Sequence, residues 1–183
     1  FDQAQTFFNK AIQNKPSKKL KIKIIERIAD TMIAKGISKE TIAFIERKLI
    51  NDKIQRLEKK KVLIYFLTED PDTTIEIIDE LFLTIQPANE FFNDLMELKN
   101  LMTSYYSDDP QNKEAFKHFI QSEWYLRQQK VPNAISQLNF ITNHFPSSNI
   151  IPLINLRLSL LYYRLKNYKM ALETIEKLNE TAF

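Results

Sequence analysis

Apolar residues along this chain recur at intervals of three and four, and prolines or short polar clusters interrupt them. These intervals are typical of α-helices that bury one face. Proline and capping residues then fix where each helix starts and stops. The pattern predicts ten helices, at 2–14, 17–34, 38–50, 51 or 52 to 67, 72 or 73 to 85, 88–104, 112–129, 132–143, 151–165 and 168–179.

Three local features refine this pattern. Residues 20–24 alternate between apolar and charged as a strand does, but Ile25, Ile28 and Met32 continue at helical spacing, so a helix is predicted there. Gly36 follows this helix and is expected to cap it in the left-handed conformation. The clearest break in the chain is 107–110, which is the nearest approach to a linker.

One order of residue kinds recurs along the chain, which indicates an internal repeat. A small residue is followed three places later by an aromatic one, and the next helix carries a small residue, two apolar residues and a final proline. The small residues let two helices approach closely, the aromatic fills the space against the next helix, and proline ends the second helix. The two complete copies lie 37 residues apart, from Ala134 to Ala171. The residues assigned to repeat packing are Ser122, Tyr125, Ala134, Leu138, Ile141 and Pro146; Ser159, Tyr162, Ala171, Ile175 and Leu178; Val62, Tyr65, Thr74, Ile78 and Leu81; and Ala4, Phe8, Ala11 and Pro16.

This spacing resembles the tetratricopeptide repeat family, whose pattern is small-x2-aromatic followed by Ala-x3-aromatic-x2-Ala-x4-Pro. The match is close over 1–16 and good over 122–146. The C-terminal helix pairs, separated by 145–148, are similar to repeats of bacterial cell-envelope proteins. The resemblance implies one all-α superhelical solenoid of antiparallel helix pairs spanning 1–183. An irregularity is expected at 88–110, where a helix has no partner.

The resemblance also implies a concave groove lined by the first helix of each pair. Carried over by position, the groove residues are Lys23, Arg27, Arg56, Lys59, Phe116, Phe119, Glu123, Arg127, Leu156, Leu160, Tyr163 and Arg164. Family members that bind chaperone tails clamp a terminal carboxylate with lysine and asparagine. Here Arg27 stands where the asparagine would follow Lys23, so that function is not expected. The alternative for any of these residues is that it is merely exposed to solvent or packs between repeats, and this applies to the aromatic ones as well.

Composition excludes several classes of function. Gly36 is the single glycine, so a β-rich fold and a glycine-rich phosphate loop are both excluded. No cysteine is present, which excludes disulfides and thiolate metal sites and fits either a reducing cytosol or a bacterial periplasm. No apolar run approaches the ~18 residues of a membrane span. The chain opens without methionine in the middle of a repeat, so we expect a piece of a longer protein, and periplasm or cell envelope is favoured over cytoplasm.

No constellation of catalytic residues is apparent, and no enzyme activity, cofactor or metal is predicted. His118 and His144 lie 26 residues apart without a metal-binding motif, and both are interpreted as structural. Glu69, Asp70 and Asp72 flank a helix start, where capping accounts for them.

The formal net charge is +3, but the charged residues are strongly segregated along the chain. Residues 1–61 carry a net charge of +9, residues 62–123 carry −10 and residues 124–183 carry +4. Solvated helix faces explain this, and the alternatives are an acidic ligand on the first block or contact between the two opposite blocks. The basic residues, such as Lys15 and Lys18, are not interleaved with aromatics as single-strand binders require.

The predicted function is therefore a non-catalytic scaffold that binds a peptide or partner protein in the groove, as part of a larger bacterial assembly. A nucleic-acid-binding solenoid and a self-assembling structural array are the alternatives.

Overall fold

The structure is a computed structural model that describes residues 1–49, 55–68 and 71–181. These residues form ten α-helices and no strand, so the predicted all-α class is confirmed. The helices are α1 (Asp2–Gln13), α2 (Lys18–Ala34), α3 (Lys39–Leu49), α4 (Gln55–Thr68), α5 (Pro71–Phe82), α6 (Phe92–Tyr105), α7 (Pro110–Arg127), α8 (Val131–His144), α9 (Ile151–Arg164) and α10 (Tyr168–Thr181).

Contacts along the chain divide it into two compact units, Phe1–Lys99 (unit 1) and Asn100–Phe183 (unit 2). The boundary falls inside α6, within the segment 88–110 where the repeat was expected to lapse. Within each unit, consecutive helices pack against each other, which is compatible with stacked helix pairs. One continuous array over both units stays a prediction.

Unit 1 is built around the apolar face of α2. Ile24, Ile28 and Met32 are buried at helical spacing. Side chains from both neighbouring helices and from the turn after α2 pack against them, namely Phe8, Ala11, Ile12, Ile37 and Phe44. Helix α2 contacts α1, α3 and α4, so it organises this unit. Of the repeat residues in unit 1, three are fully buried, namely Val62, Thr74 and Ile78. Six are half-buried, namely Ala4, Phe8, Ala11, Pro16, Tyr65 and Leu81.

The glycine cap predicted at the end of α2 is confirmed. Gly36 has a φ of 78°. Its N–H donates to the Ile33 carbonyl at 2.9 Å, and the Ile37 N–H donates to the Met32 carbonyl at 3.0 Å. This is the Schellman arrangement, in which the residue after the glycine returns to the core. Gly36 thereby turns the chain towards α3.

An ion pair ties the start of α1 to the end of α2. Lys35 Nζ lies 2.5 Å from Asp2 Oδ1. The hydrogen bond from Lys35, and then its charge, hold the pKa of the Asp2 carboxyl below its ordinary value. The stability that this pair contributes is therefore present above the ordinary carboxyl pKa and is lost as the pH falls through the lowered value.

Unit 2 contains the two complete repeat copies, and α8 packs against both α7 and α9. In the first copy, Ser122, Ala134, Leu138 and Ile141 are buried. Ser159 is buried in the second copy. Tyr125, Tyr162, Ala171, Ile175 and Leu178 are half-buried, and Pro146 is exposed.

The two repeat serines behave alike at the close contacts. Ser122 Oγ donates to the Phe119 carbonyl at 2.7 Å, and Ser159 Oγ donates to the Leu156 carbonyl at 2.8 Å. Each hydroxyl is thus satisfied by its own helix, so a small polar side chain can be buried without a partner on the neighbouring helix.

Polar side chains hold the second copy in place on the first. Asn112 Oδ1 accepts hydrogen bonds from Ser148 Oγ at 2.7 Å and from the Asn149 N–H at 3.1 Å. Asn139 Nδ2 donates to the Tyr162 hydroxyl at 3.2 Å. The turn before α9 and the last turn of α9 are therefore both tied to the preceding helix pair.

Several helix ends differ from the sequence prediction, among them the start of α6, the start of α7 and the end of α5. Helix α6 begins at Phe92 rather than at residue 88, because Asn89 forms a turn in which its side-chain Oδ1 accepts the Phe91 N–H at 2.9 Å. Helix α7 begins at Pro110 rather than at residue 112, because Asp109 caps it by accepting the Gln111 N–H at 2.8 Å. Helix α5 ends at Phe82 instead of near residue 85. The predicted start of α4 at residue 51 or 52 lies outside the described residues.

In both complete repeats, the turn between the first and the second helix contains a non-glycine residue with left-handed backbone angles. Gln129 has a φ of 61° and Lys166 a φ of 60°. This conformation destabilises a residue that has a Cβ by about 1–2 kcal/mol, and glycine removes that strain. About half of the stability gained in this way is offset, because glycine has greater conformational freedom in the unfolded chain. Gln129→Gly is therefore expected to raise the free energy of unfolding by about 0.5–1 kcal/mol in urea titrations. The matched control is Gln128→Gly, where φ is −83° and a loss is expected; equal effects at both positions would contradict the argument.

Candidate interaction surface

The predicted groove residues of unit 2 separate into buried and exposed sets. Phe116 and Phe119 are 0% and 1% exposed, so a partner cannot reach them in this fold. Their rings lie 5.7 Å apart in the core of the unit. Glu123 is also buried, and Arg157 of α9 pairs with its carboxylate at 3.2 Å. These three side chains are therefore packed inside unit 2, and the pair of Glu123 with Arg157 joins α7 to α9.

The corresponding residues of α9 are exposed. Leu156, Leu160 and Tyr163 are 40%, 47% and 64% exposed, and spacings of four and three place them on one face of the helix. Leu156 and Leu160 stand 37 residues after Phe119 and Glu123. The same face is therefore covered on α7 and open on α9.

The open face continues onto α10. The Tyr163 and Tyr168 rings meet edge to face with their centroids 5.7 Å apart. Tyr168 and Leu172 are one turn apart and are both more than half exposed. We define the apolar face of unit 2 as Leu156, Leu160, Tyr163, Tyr168 and Leu172. Aligned exposed side chains of this size form a candidate interaction surface, whereas singly scattered ones need no explanation.

Two arginines of the predicted groove lie at the ends of α7 and α9. Arg127 and Arg164 occupy the last turn of their helices and are exposed. They also stand 37 residues apart in sequence, and so occupy equivalent positions in the two repeats. Cations at this end of a helix are favoured by the helix dipole, and they offer donors for carboxylates.

In unit 1, the structure brings together two of the four predicted groove residues. Arg56 and Lys59 lie one turn apart on α4, and both contact the segment before and within the first turn of α6. Arg56 lies 3.3 Å from Glu90, and Lys59 pairs with Asp94. Arg56 also approaches Glu26 of α2 at 3.8 Å. These contacts link the predicted groove residues to carboxylates that sequence reasoning did not single out.

The other two predicted groove residues of unit 1 lie on α2. Lys23 and Arg27 are exposed, and Arg27 pairs with Asp30 one turn later at 3.5 Å.

The two histidines pack against a phenylalanine of α8. His118 Nδ1 lies 2.7 Å from Gln137 Oε1, and His144 Nδ1 lies 3.0 Å from the Phe140 carbonyl. Because both partners are carbonyl oxygens, each ring donates from Nδ1. The Phe140 ring centroid is 4.5 Å from that of His118 and 3.9 Å from that of His144. His118 of α7 therefore contributes to the contact between α7 and α8, whereas His144 stacks on a residue of its own helix.

Within 1–49, 55–68 and 71–181, no three His, Asp or Glu side chains come close enough to share a metal ion. Asp72 lies in the first turn of α5, whereas Glu69 and Asp70 lie outside the described residues. None of the described helices combines the length and the hydrophobicity that a membrane span requires.

Comparisons of this chain with protein-family models, with curated proteins and with solved structures found no match. The similarity to tetratricopeptide repeats therefore stays a prediction from the spacing of the repeat residues.

Proposed function

We propose that this protein is a non-catalytic interaction module that binds a partner protein through the apolar face of unit 2. The observation that supports this is the contrast between two equivalent helices. On α7 the face is buried, with Phe119 at 1% exposure, whereas on α9 Leu160 and Tyr163 are 47% and 64% exposed. A helix face with this composition is stabilised when another element covers it.

The geometry favours a helical or extended peptide with an apolar stripe. The face runs for two turns along α9, which matches side chains spaced by three and four on a docked helix. Arg164 follows Tyr163 directly in sequence, and Arg127 occupies the equivalent position at the end of α7. Carboxylates on the partner would pair with them and fix its direction.

Nucleic acid fits this chain less well than protein does. The basic residues of α4 are paired with carboxylates within unit 1. These pairs are Arg56 with Glu26 and Glu90, Lys59 with Asp94, Lys60 with Asp30, and Lys61 with Glu46. Such pairing lowers the positive charge that a phosphate backbone would meet.

Self-association through the apolar face of unit 2 is the structural alternative. Light scattering over a range of protein concentrations tests it.

The test uses a random peptide library that contains no segment of this chain. Peptides are selected from it for binding to the intact protein. In Leu160→Lys/Tyr163→Lys, we expect the affinity of selected peptides to fall by about 30-fold, because two exposed apolar anchors are removed. The matched control is Leu83→Lys, since Leu83 is 87% exposed in unit 1. Arg127→Glu/Arg164→Glu should weaken binding of the acidic peptides alone. Selected peptides that bind the Leu160→Lys/Tyr163→Lys variant as well as the wild type would overturn the proposal.

A further inference from the structure

A short acidic segment of unit 1 lies on the basic side chains of α4. Residues 84–91 form turns, and the Phe92 N–H donates to the Asn89 carbonyl at 3.1 Å. Together with the bond from the Phe91 N–H to Asn89 Oδ1, this turn presents Glu90 and Phe91 just before α6. We call residues 89–94 the docked segment, and Arg56 with Lys59 the basic face of α4.

Each charged group of the basic face meets a specific group of the docked segment. Arg56 Nη2 lies 3.3 Å from Glu90 Oε1. Lys59 Nζ pairs with Asp94 and also lies 4.8 Å from the centroid of the Phe91 ring. One ammonium is thus held by a carboxylate and by an aromatic face, which is a cation–π geometry. The pattern recognised is a carboxylate, an adjacent aromatic ring, and a second carboxylate one turn later.

These contacts are weak enough to be exchanged. The side chains of Arg56, Glu90, Lys59 and Asp94 are 49%, 62%, 37% and 52% exposed. Ion pairs at such exposure contribute little to stability. A second segment with the same chemistry therefore competes with the docked segment at little cost.

The basic face also adjoins a cleft that the docked segment leaves open. This cleft has a volume of about 580 Å³. Its apolar lining comes from α5, the turn after it, and α6, namely Ile77, Leu81, Ile85, Phe91 and Leu95. Lys59 stands at the junction of the cleft and the basic face. A ligand that is larger than the docked segment can thus place an apolar side chain in the cleft while its carboxylates meet α4.

The acidic residues around the site narrow the class of ligand. Glu58 and Glu80 line the cleft, and Lys61 there is paired with Glu46 at 3.1 Å. A polyanion such as nucleic acid would meet these carboxylates along its whole length. A peptide can instead align two carboxylates with Arg56 and Lys59 and keep its remaining length neutral or apolar.

We propose that the basic face of α4 and the adjoining cleft form a second binding site, for an acidic peptide segment of a partner protein with an aromatic residue beside a carboxylate. In the free protein the docked segment occupies the charged half of this site. The site lies in unit 1 and does not depend on the apolar face of unit 2.

The probe is a fluorescein-labelled peptide with the sequence of residues 86–97, added to the intact protein and followed by anisotropy at low salt. Glu90→Gln/Asp94→Asn removes the internal competitor's charges, so this variant is expected to bind the peptide about tenfold more tightly than the wild type. Arg56→Glu/Lys59→Glu, placed in that background, is expected to abolish the gain. A peptide with glutamine in place of its acid at 90 and asparagine in place of its acid at 94 should not bind.

The matched control for net charge is Asp108→Asn/Glu114→Gln, which removes two acids with exposed lysine partners in unit 2 and should leave peptide binding unchanged. Circular dichroism checks the fold of each variant, and the single change Glu90→Gln, with an expected gain of about threefold, replaces the double variant if that one unfolds. Equal affinity of the wild type and the Glu90→Gln/Asp94→Asn variant for the peptide would overturn the proposal. So would a gain for a labelled oligonucleotide instead of the peptide.

Discussion

Replacing Phe119 with alanine is expected to lower the free energy of unfolding of unit 2 by about 3–5 kcal/mol. The ring is 1% exposed and packs against Phe116, which is fully buried. Alanine would remove the ring and leave a cavity that the surrounding helices fill only in part. Trp124, the single tryptophan of the chain, lies on α7 one turn and a half later. Urea titration followed by its fluorescence therefore reports unit 2 within the intact protein.

The repeat supplies the matched control at Leu156, 37 residues after Phe119. Leu156 is 40% exposed, so Leu156→Ala is expected to cost less than about 1 kcal/mol. Similar losses at the two positions would show that α9 is covered in solution, and would count against the proposed apolar face.

Removing Arg157 is expected to be the second largest change, with Arg157→Met lowering the free energy of unfolding by about 1–3 kcal/mol. Glu123 is 8% exposed, and Arg157 Nη2 lies 3.2 Å from its Oε1. Neither Glu123 Oε1 nor Arg157 Nε makes a well-aligned hydrogen bond to any described residue. Methionine would keep the packing of the side chain but leave the Glu123 carboxylate buried without its countercharge.

The same repeat suggests how to reverse this loss. Leu160 occupies the position in α9 that corresponds to Glu123 in α7. Glu123→Leu in the Arg157→Met background is therefore expected to recover most of the stability, because an apolar pair of similar volume replaces the ion pair. Losses that simply add in the double variant would show that Glu123 is held by groups other than Arg157.

Most helix boundaries were predictable because local chemistry sets them. Gly36 tolerates a positive φ, and the prolines at 152 and 132 suit the first turn of a helix. The start of α6 was mispredicted at residue 88 because Pro87 is compatible with a helix start. The side chain of Asn89 stabilises a turn there instead, so α6 begins only at Phe92.

The candidate sites were less predictable, for two physical reasons. Periodicity identifies the face of a helix but not whether a neighbour covers that face, so Phe119 and Leu156 received the same assignment. Segregated charge was assigned to solvated helix faces, and contact of an acidic group with the basic block was only the alternative. It did not indicate which carboxylates would make that contact, because Glu90 and Asp94 lie more than thirty residues from Arg56 and Lys59.

The sequence alone determined the all-α class, the ten helices and the 37-residue spacing of the complete repeats, since these follow from side-chain period, proline and glycine at short range. The tertiary structure decided which repeat residues are buried and which are open. It also decided that α6 spans the boundary between two compact units and that residues 89–94 rest on α4. Burial and ion pairing depend on contacts between distant parts of the chain, and no local pattern specifies those contacts.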